Sequence, residues 1–136
     1  MASILIIKEK IKNPKEWYDK VMQNSTEWEY DEILKSYHVG NIYLTEKENS
    51  VSFEDMSEEV FFGWETSVWI EVADNKELIY GYYNDCNCYA EFVHIKNRKC
   101  IRHYREYDDG IDRNEGNIPK FNNWEDVASY VDEKML

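Results

Sequence analysis

The stretch LIYGYYNDCNCYAEFVHIKNRKCIRHYREYDD, Leu78 to Asp109, does most to decide what this chain can become. It reads as three antiparallel strands joined by two tight turns. Asn84 and Asp85 are turn formers that follow a strand from Leu78 to Tyr83, and Lys96-Asn97-Arg98-Lys99 supplies the second turn, where Asn97 tolerates a positive φ. The middle strand, Cys88 to Ile95, alternates Cys88, Ala90, Phe92 and His94 with Tyr89, Glu91, Val93 and Ile95. The return strand, Cys100 to Tyr107, sets Ile101, His103, Arg105 and Tyr107 against Cys100, Arg102, Tyr104 and Glu106. Neither face is wholly apolar, so the sheet is expected to bury one face and display the other.

The remaining segments are expected to pack on this meander. Ser3 to Lys8 has the pattern of a short strand. Asn13-Pro14 starts a helix, with Asn as cap and Pro at the first helical position, and Trp17, Tyr18 and Val21 carry helical spacing to about Gln23, where Asn24-Ser25-Thr26 ends it. Glu27 to Lys35 fits a short helix, and a loop nearly as well. Tyr37, Val39, Ile42 and Leu44 predict one strand bulged at Gly40, and Val51 and Phe53 a second. Val60 to Ala73 is predicted as a long strand, with Phe62, Trp64, Thr66, Val68, Ile70 and Val72 as its core face. After Tyr107, DDGIDRNEGNIPKFNN reads as a polar loop, and Asn122 or Asn123 caps a final helix from Trp124 to about Lys134. The expectation is a single α+β domain over residues 1–136, a mainly antiparallel meander with N-terminal and C-terminal helices packed on it.

Of the 136 residues, 43% are apolar and the net charge is −12. That composition suits a folded, acidic protein rather than a disordered one. The charge is uneven: residues 41 to 92 hold two cations and twelve carboxylates. Such a field repels nucleic acid and anionic lipid and attracts a basic protein. The apolar run Ile4 to Ile7 is too short for a secretory or membrane-spanning segment, and an odd set of cysteines, Cys86, Cys88 and Cys100, argues for a reducing cytoplasm.

Few residue groups point to catalysis. Cys86-x-Cys88, with Cys100, His94 and His103, has metal-ligand residue types but not the paired spacing of a zinc site, and packing is the better account of it. The loop from Asp108 to Gly116 has calcium-loop composition in the wrong register. No phosphate loop, nucleophile elbow or zinc-protease motif is present. The expectation is a non-enzyme without cofactor or metal. An enzyme using Cys88, or His94 and His103, is the weaker alternative. The candidate partner-binding set is aromatic and acidic: Glu65, Trp69, Glu71, Asp74, Glu77, Tyr80, Tyr82, Tyr83, Asp85, Tyr89 and Glu91. Tyr and Trp offer large, rigid contact area, and carboxylates beside them engage Lys or Arg of a partner.

The size, the acidic and aromatic composition, the meander GYYNDCNCYAEFVHIKNRKCIRHYREYDD and the ending FNNWEDVASYVDEKML together resemble the small acidic immunity proteins of bacterial contact-dependent growth inhibition and related polymorphic toxin systems. The resemblance spans residues 60 to 136 and is one of style, without a diagnostic motif, so it assigns no site residues. It implies a non-catalytic cytoplasmic protein that binds a cognate toxin domain, often a basic nuclease, and covers its active site. The alternatives are a small-molecule module with an aromatic cavity lined by Trp64, Tyr82 or Tyr104, and an adaptor for another basic protein.

Overall fold

The computed structural model describes residues 1–24 and 27–136. The chain runs β1 (Ala2–Ile7), α1 (Pro14–Val21), β2 (Glu29–Asp31), β3 (Ser36–Val39), β4 (Ile42–Glu46), β5 (Val51–Asp55), α2 (Thr66–Ala73), β6 (Leu78–Asn84), β7 (Tyr89–Lys96), β8 (Lys99–Tyr107), β9 (Gly110–Gly116) and α3 (Trp124–Tyr130), which continues as a π-helical turn, Val131–Met135. The strands form one antiparallel sheet in the order β2-β3-β4-β5-β1-β6-β7-β8-β9. β1 lies at its centre. It joins two four-stranded meanders by pairing Leu5 with Phe53 of β5 and with Tyr80 of β6. A central strand between two covered faces needs apolar side chains on both sides, and ASILII supplies them.

Over β1 and the β6–β8 meander both faces of the sheet are covered, against the expectation that the meander displays one face. Leu5, Ile7, Leu44, Phe53, Leu78, Tyr80, Val93 and Ile95 form a core beneath α1 and α2, while Ala2, Ile4, Ala90, Phe92 and Tyr104 pack with Phe121, Val127, Val131 and Met135 on the other side. The C-terminal helix needs close approach to β6. A Cβ on Gly81 would sit 2.8 Å from Val131 Cγ2 and would overlap Met135 Sδ.

Several predicted elements stand: β1, α1 with its Asn13 cap, β5, the meander β6 to β8, and α3 with its Asn123 cap. The turn between β7 and β8 places both Asn97 (φ 53°) and Arg98 (φ 60°) in the left-handed region, as a two-residue hairpin requires. Part of the predicted stop at Asn24-Ser25-Thr26 lies outside the described residues.

Four assignments are corrected. Val60 to Ala73 is no strand: 56–65 is an irregular segment and Thr66–Ala73 is helix α2. Its alternation is mimicry by a run of apolar residues, of which Trp69 and Ala73, four apart, are the two wholly buried in α2. Glu27 to Lys35 holds strand β2 in place of a helix, since Tyr30 pairs with Tyr37 across a tight turn. The strand predicted to bulge at Gly40 is two strands, β3 and β4, joined at Gly40 with φ 55°. The polar segment after Tyr107 contains β9, whose side chains are held by charge rather than by apolar burial.

Candidate functional site

Antiparallel alternation decides which turns share an end of the sheet. The segment after β5, the β6–β7 turn and the β8–β9 turn all fall at the end where β1 begins. They bring Glu58, Glu59, Asp85, Asp108 and Asp109 to that end, and none of 54–60, 84–89 or 106–110 contains a Lys or Arg. The geometry is held locally. Buried Asp55 accepts hydrogen bonds from Ser57 N (3.0 Å), Ser57 Oγ (2.6 Å) and Val60 N (2.8 Å), which folds the chain back as an Asx turn. Asn84 Oδ1 accepts from Cys86 N at 2.9 Å, and Asn87 Oδ1 from Tyr89 N at 3.1 Å.

Beside these carboxylates lies an aromatic cluster. Phe62 packs on Tyr82 at 4.4 Å between ring centroids and on Tyr107 at 5.4 Å, and Tyr89 meets Tyr107 edge-on at 5.2 Å. Phe62, Tyr89 and Tyr107 are half-buried, Tyr82 wholly so. Burial raises the pKa of the Glu58 carboxyl above its ordinary value, and the neighbouring Asp55 and Asp85 add to the rise against the N-terminal ammonium and the hydrogen bond from Asn84. The one cation the described residues place here is the N-terminal ammonium, 3.8 Å from Asp85, and a partner's Lys or Arg would add to it.

A second polar arrangement lies under α2. Glu91 Oε2 meets His103 Nε2 at 2.6 Å and accepts from Arg105 Nη1 at 3.0 Å, and its Oε1 accepts from Gly63 N at 2.9 Å. His103 Nδ1 is 2.8 Å from Thr66 Oγ1, which donates to Glu115 at 2.8 Å and accepts from Arg113 at 3.1 Å. Although burial works the other way, the hydrogen bonds from Thr66 and Arg113 hold the pKa of Glu115 below the usual carboxylate range. Arg105 also donates to Trp64 O at 3.0 Å and to Asp112 at 2.9 Å, where an extra residue in β9 turns Asp112 towards it. The order carboxylate, imidazole, hydroxyl is that of an acyl-transfer triad. Here Glu91 and His103 are wholly buried and the Thr66 hydroxyl is already bonded to Glu115 and Arg113, so the array ties 63–66 to β7, β8 and β9.

The predicted partner-binding residues do not form one surface. Trp69, Tyr80, Tyr82 and Glu91 are core side chains, because α2 and the 56–65 segment cover the face on which they stand. Glu65 pairs with Arg113 at the start of α2, and Glu71 is exposed on that helix. Asp74 and Glu77 lie at the opposite end of the sheet, bonded to Arg98 (2.8 Å) and His94 (2.6 Å). Tyr83 faces α3 and donates to Asp132 at 2.8 Å. Asp85 and Tyr89 reach the acidic end. Glu58, Glu59, Phe62, Tyr107, Asp108 and Asp109 complete it and were outside the predicted set; the turn signals in the sequence mark their positions, but only a correct strand count shows that they share an end.

Cys86 and Cys88 are exposed on the β6–β7 turn and Cys100 is partly buried; all three are free thiols. Cys88 lies on the turn before β7 and His94 near the far end of that strand, which separates them as a catalytic pair. No group of three or more His, Cys, Asp or Glu suited to a metal ion occurs among the described residues. A cleft of about 570 Å³ opens between α1 and α2, lined by Trp17, Val21, Val68 and Val72 and rimmed by Lys20, Glu71, Asp74 and Lys76. Trp64, Tyr82 and Tyr104, predicted to line an aromatic cavity, instead pack on Trp69, Phe62 and Phe121. Among the described residues no helix is long and apolar enough to cross a membrane. Comparison with protein-family models, curated proteins and solved structures finds no match for this chain.

Proposed function

We propose that this chain is a cytoplasmic immunity protein, which binds a basic bacterial toxin domain through the acidic, aromatic end of its sheet. The observation that carries the reading is that end itself: Glu58, Glu59, Asp85, Asp108 and Asp109 surround the half-buried rings of Phe62, Tyr89 and Tyr107 with no Lys or Arg in the segments that build it. Carboxylates arranged this way speed encounter with a cationic surface, and rigid aromatic rings supply the desolvated contacts that slow release. The toxin's nucleic-acid groove is the basic surface such an end would cover.

The test is capture from the native lysate with the tagged protein, with bound proteins identified by mass, followed by charge reversal. Glu58→Lys with Asp85→Lys is expected to weaken capture of a basic toxin fragment at least tenfold and to flatten its salt dependence. Capture of the same fragment at unchanged strength by that variant would rule out this end as the interface. A second reading, a small-molecule module, is favoured by the α1–α2 cleft alone, and a ligand-dependent rise in melting temperature abolished by Val72→Trp would support it.

A further inference from the structure

We propose that the cleft between α1 and α2 is a socket for a second copy of this chain, filled by the Ile33-Leu34 tip of that copy's β2–β3 turn. Trp17 and Val21 on α1, and Val68 and Val72 on α2, are four apart on their helices, so each pair forms one apolar stripe and the two stripes line the cleft. None of the four is fully buried, and Val68 is 40% exposed. The opening has the size for an apolar tip: it measures about 570 Å³, and a cavity of about 150 Å³ already holds a benzene ring. On the turn, Ile33 is 91% exposed, the most of any large apolar side chain among the described residues, and Leu34 beside it is 56% exposed. The tip is preorganised. Asp31 Oδ1 accepts from Ile33 N and Leu34 N, both at 2.9 Å, and Lys35 closes the turn at φ 53°.

Charge selects this occupant over an uncharged ligand. The tip reads Glu32-Ile33-Leu34-Lys35, one charge of each sign flanking two apolar residues. The cleft carries the matching pair on its two walls, Lys20 on α1 and Glu71 on α2, beside its valines. Among the described residues none of these four charges has an ion-pair partner. The remaining charges do not oppose the contact. Glu16 and Asp19, the other carboxylates of α1, are bonded to Asn13 and Trp28. Glu29, Glu46 and Glu48 outnumber Lys47 around the tip, and on the rim Lys20, Lys76 and the Asp74-bridged Arg98 outnumber Glu71 and Asp74. Tip and cleft are different parts of one chain, so the contact is heterologous and continues to a ring or a filament rather than stopping at a pair. The β2–β3 turn stands at the end of the sheet where β1 finishes, away from the acidic end.

The proposal is independent of the acidic end. Its test is sedimentation equilibrium of the whole protein from micromolar to millimolar concentration at physiological ionic strength, where the −12 charge of each copy is screened beyond about 8 Å. The average mass is expected to rise with concentration past that of a pair. Ile33→Asp removes the apolar tip and Val72→Trp fills the cleft, and circular dichroism would verify both folds. Each variant alone should associate at least tenfold more weakly than the parent. Mixed, they should form a one-to-one pair and stop there, because one keeps its cleft and the other its tip. Lys20→Glu should also weaken association, and adding Glu32→Lys to the same chain should restore it. A parent that stays monomeric throughout, an assembly untouched by Ile33→Asp, a mixture of folded variants that does not pair, or a charge swap that fails to restore association would each overturn it. Indole raising the melting temperature of a monomeric parent, with the rise lost in Val72→Trp, would overturn it in favour of the small-molecule reading.

Discussion

His103 Nε2 and Glu91 Oε2 lie 2.6 Å apart with both side chains fully out of solvent. The same carboxylate oxygen accepts from Arg105, and its partner oxygen accepts from Gly63 N, so one buried carboxylate holds two strands and the segment that leads into α2. Removing one member of such a cluster strands the others in the interior, which costs about 3–5 kcal/mol. Glu91→Ala is therefore expected to lower the unfolding free energy by that amount, read as a lower urea midpoint at unchanged slope. Glu91→Gln, which keeps an acceptor, should cost less. Equal stability of Glu91→Ala and the parent would show that the cluster contributes nothing to the fold.

The same cluster explains what the sequence could and could not reveal. β6 to β8 were legible because Asn84-Asp85 and Asn97 punctuate alternating segments, and α1 and α3 because Asn13 and Asn123 cap amphipathic runs. β9 was not legible, because GIDRNEG carries no apolar alternation; it is held through Arg113 and Glu115, whose partners Glu65 and Thr66 stand 48 and 49 residues earlier in the chain. TSVWIEVA reads as a strand because it is rich in β-branched residues, whose strand preference is overridden once Trp69 stacks on Tyr80 and packs against Trp64. A strand over Val60 to Ala73 would also displace the candidate site. It would leave as a display surface the face that α2 and 56–65 cover, with Trp69, Tyr80, Tyr82 and Glu91 on it.

Gly116 and Gly40 both sit at positive φ, 79° and 55°, but only one is crowded. A Cβ on Gly116 would overlap the Ile101 carbonyl oxygen and lie 3.2 Å from Arg102 Cα, both backbone atoms that cannot swing away; nothing lies within 4 Å of one on Gly40. Gly40→Ala is expected to cost about 1 kcal/mol for the left-handed backbone alone. Gly116→Ala should cost about 2–4 kcal/mol and raise amide exchange in β9 selectively. Similar costs at the two sites, read from chemical unfolding, would contradict the packing at the end of β9.

The three thiols should separate by rate. Burial, together with the charge of and a hydrogen bond to Glu115, pushes the Cys100 pKa up to about 11, whereas Cys86 and Cys88 are exposed on a turn. The thiolate is the reactive form, so timed alkylation near neutral pH, followed by peptide mass mapping, should modify Cys100 last. Glu115→Gln is expected to speed its modification. Cys100 reacting first would contradict its partly buried placement on β8 beside Glu115.

Alkaline pH should destabilise the fold through its tyrosines. Burial raises the pKa of Tyr18 and Tyr82 to about 12, and burial also pushes Tyr80 and Tyr104 well above the ordinary phenol value, Tyr80 being helped by the charge of Glu91 and Tyr104 by its bond to Glu106. In the unfolded chain each phenol ionises near the ordinary value of about 10. The folded state then holds more protons than the unfolded state from about pH 10 upwards, so stability is full below that point and falls as pH rises through about 12. Urea midpoints should be flat between about pH 7 and 9 and decline steadily above about 10, before the folded protein shows phenolate absorbance from its buried rings. Tyr80→Phe removes one of these groups along with a single 3.2 Å contact to Ser3 Oγ. It should lose about 1 kcal/mol at neutral pH and show a shallower alkaline decline. A decline as steep as that of the parent would mean that the buried Tyr80 hydroxyl is not the titrating group that burial makes it.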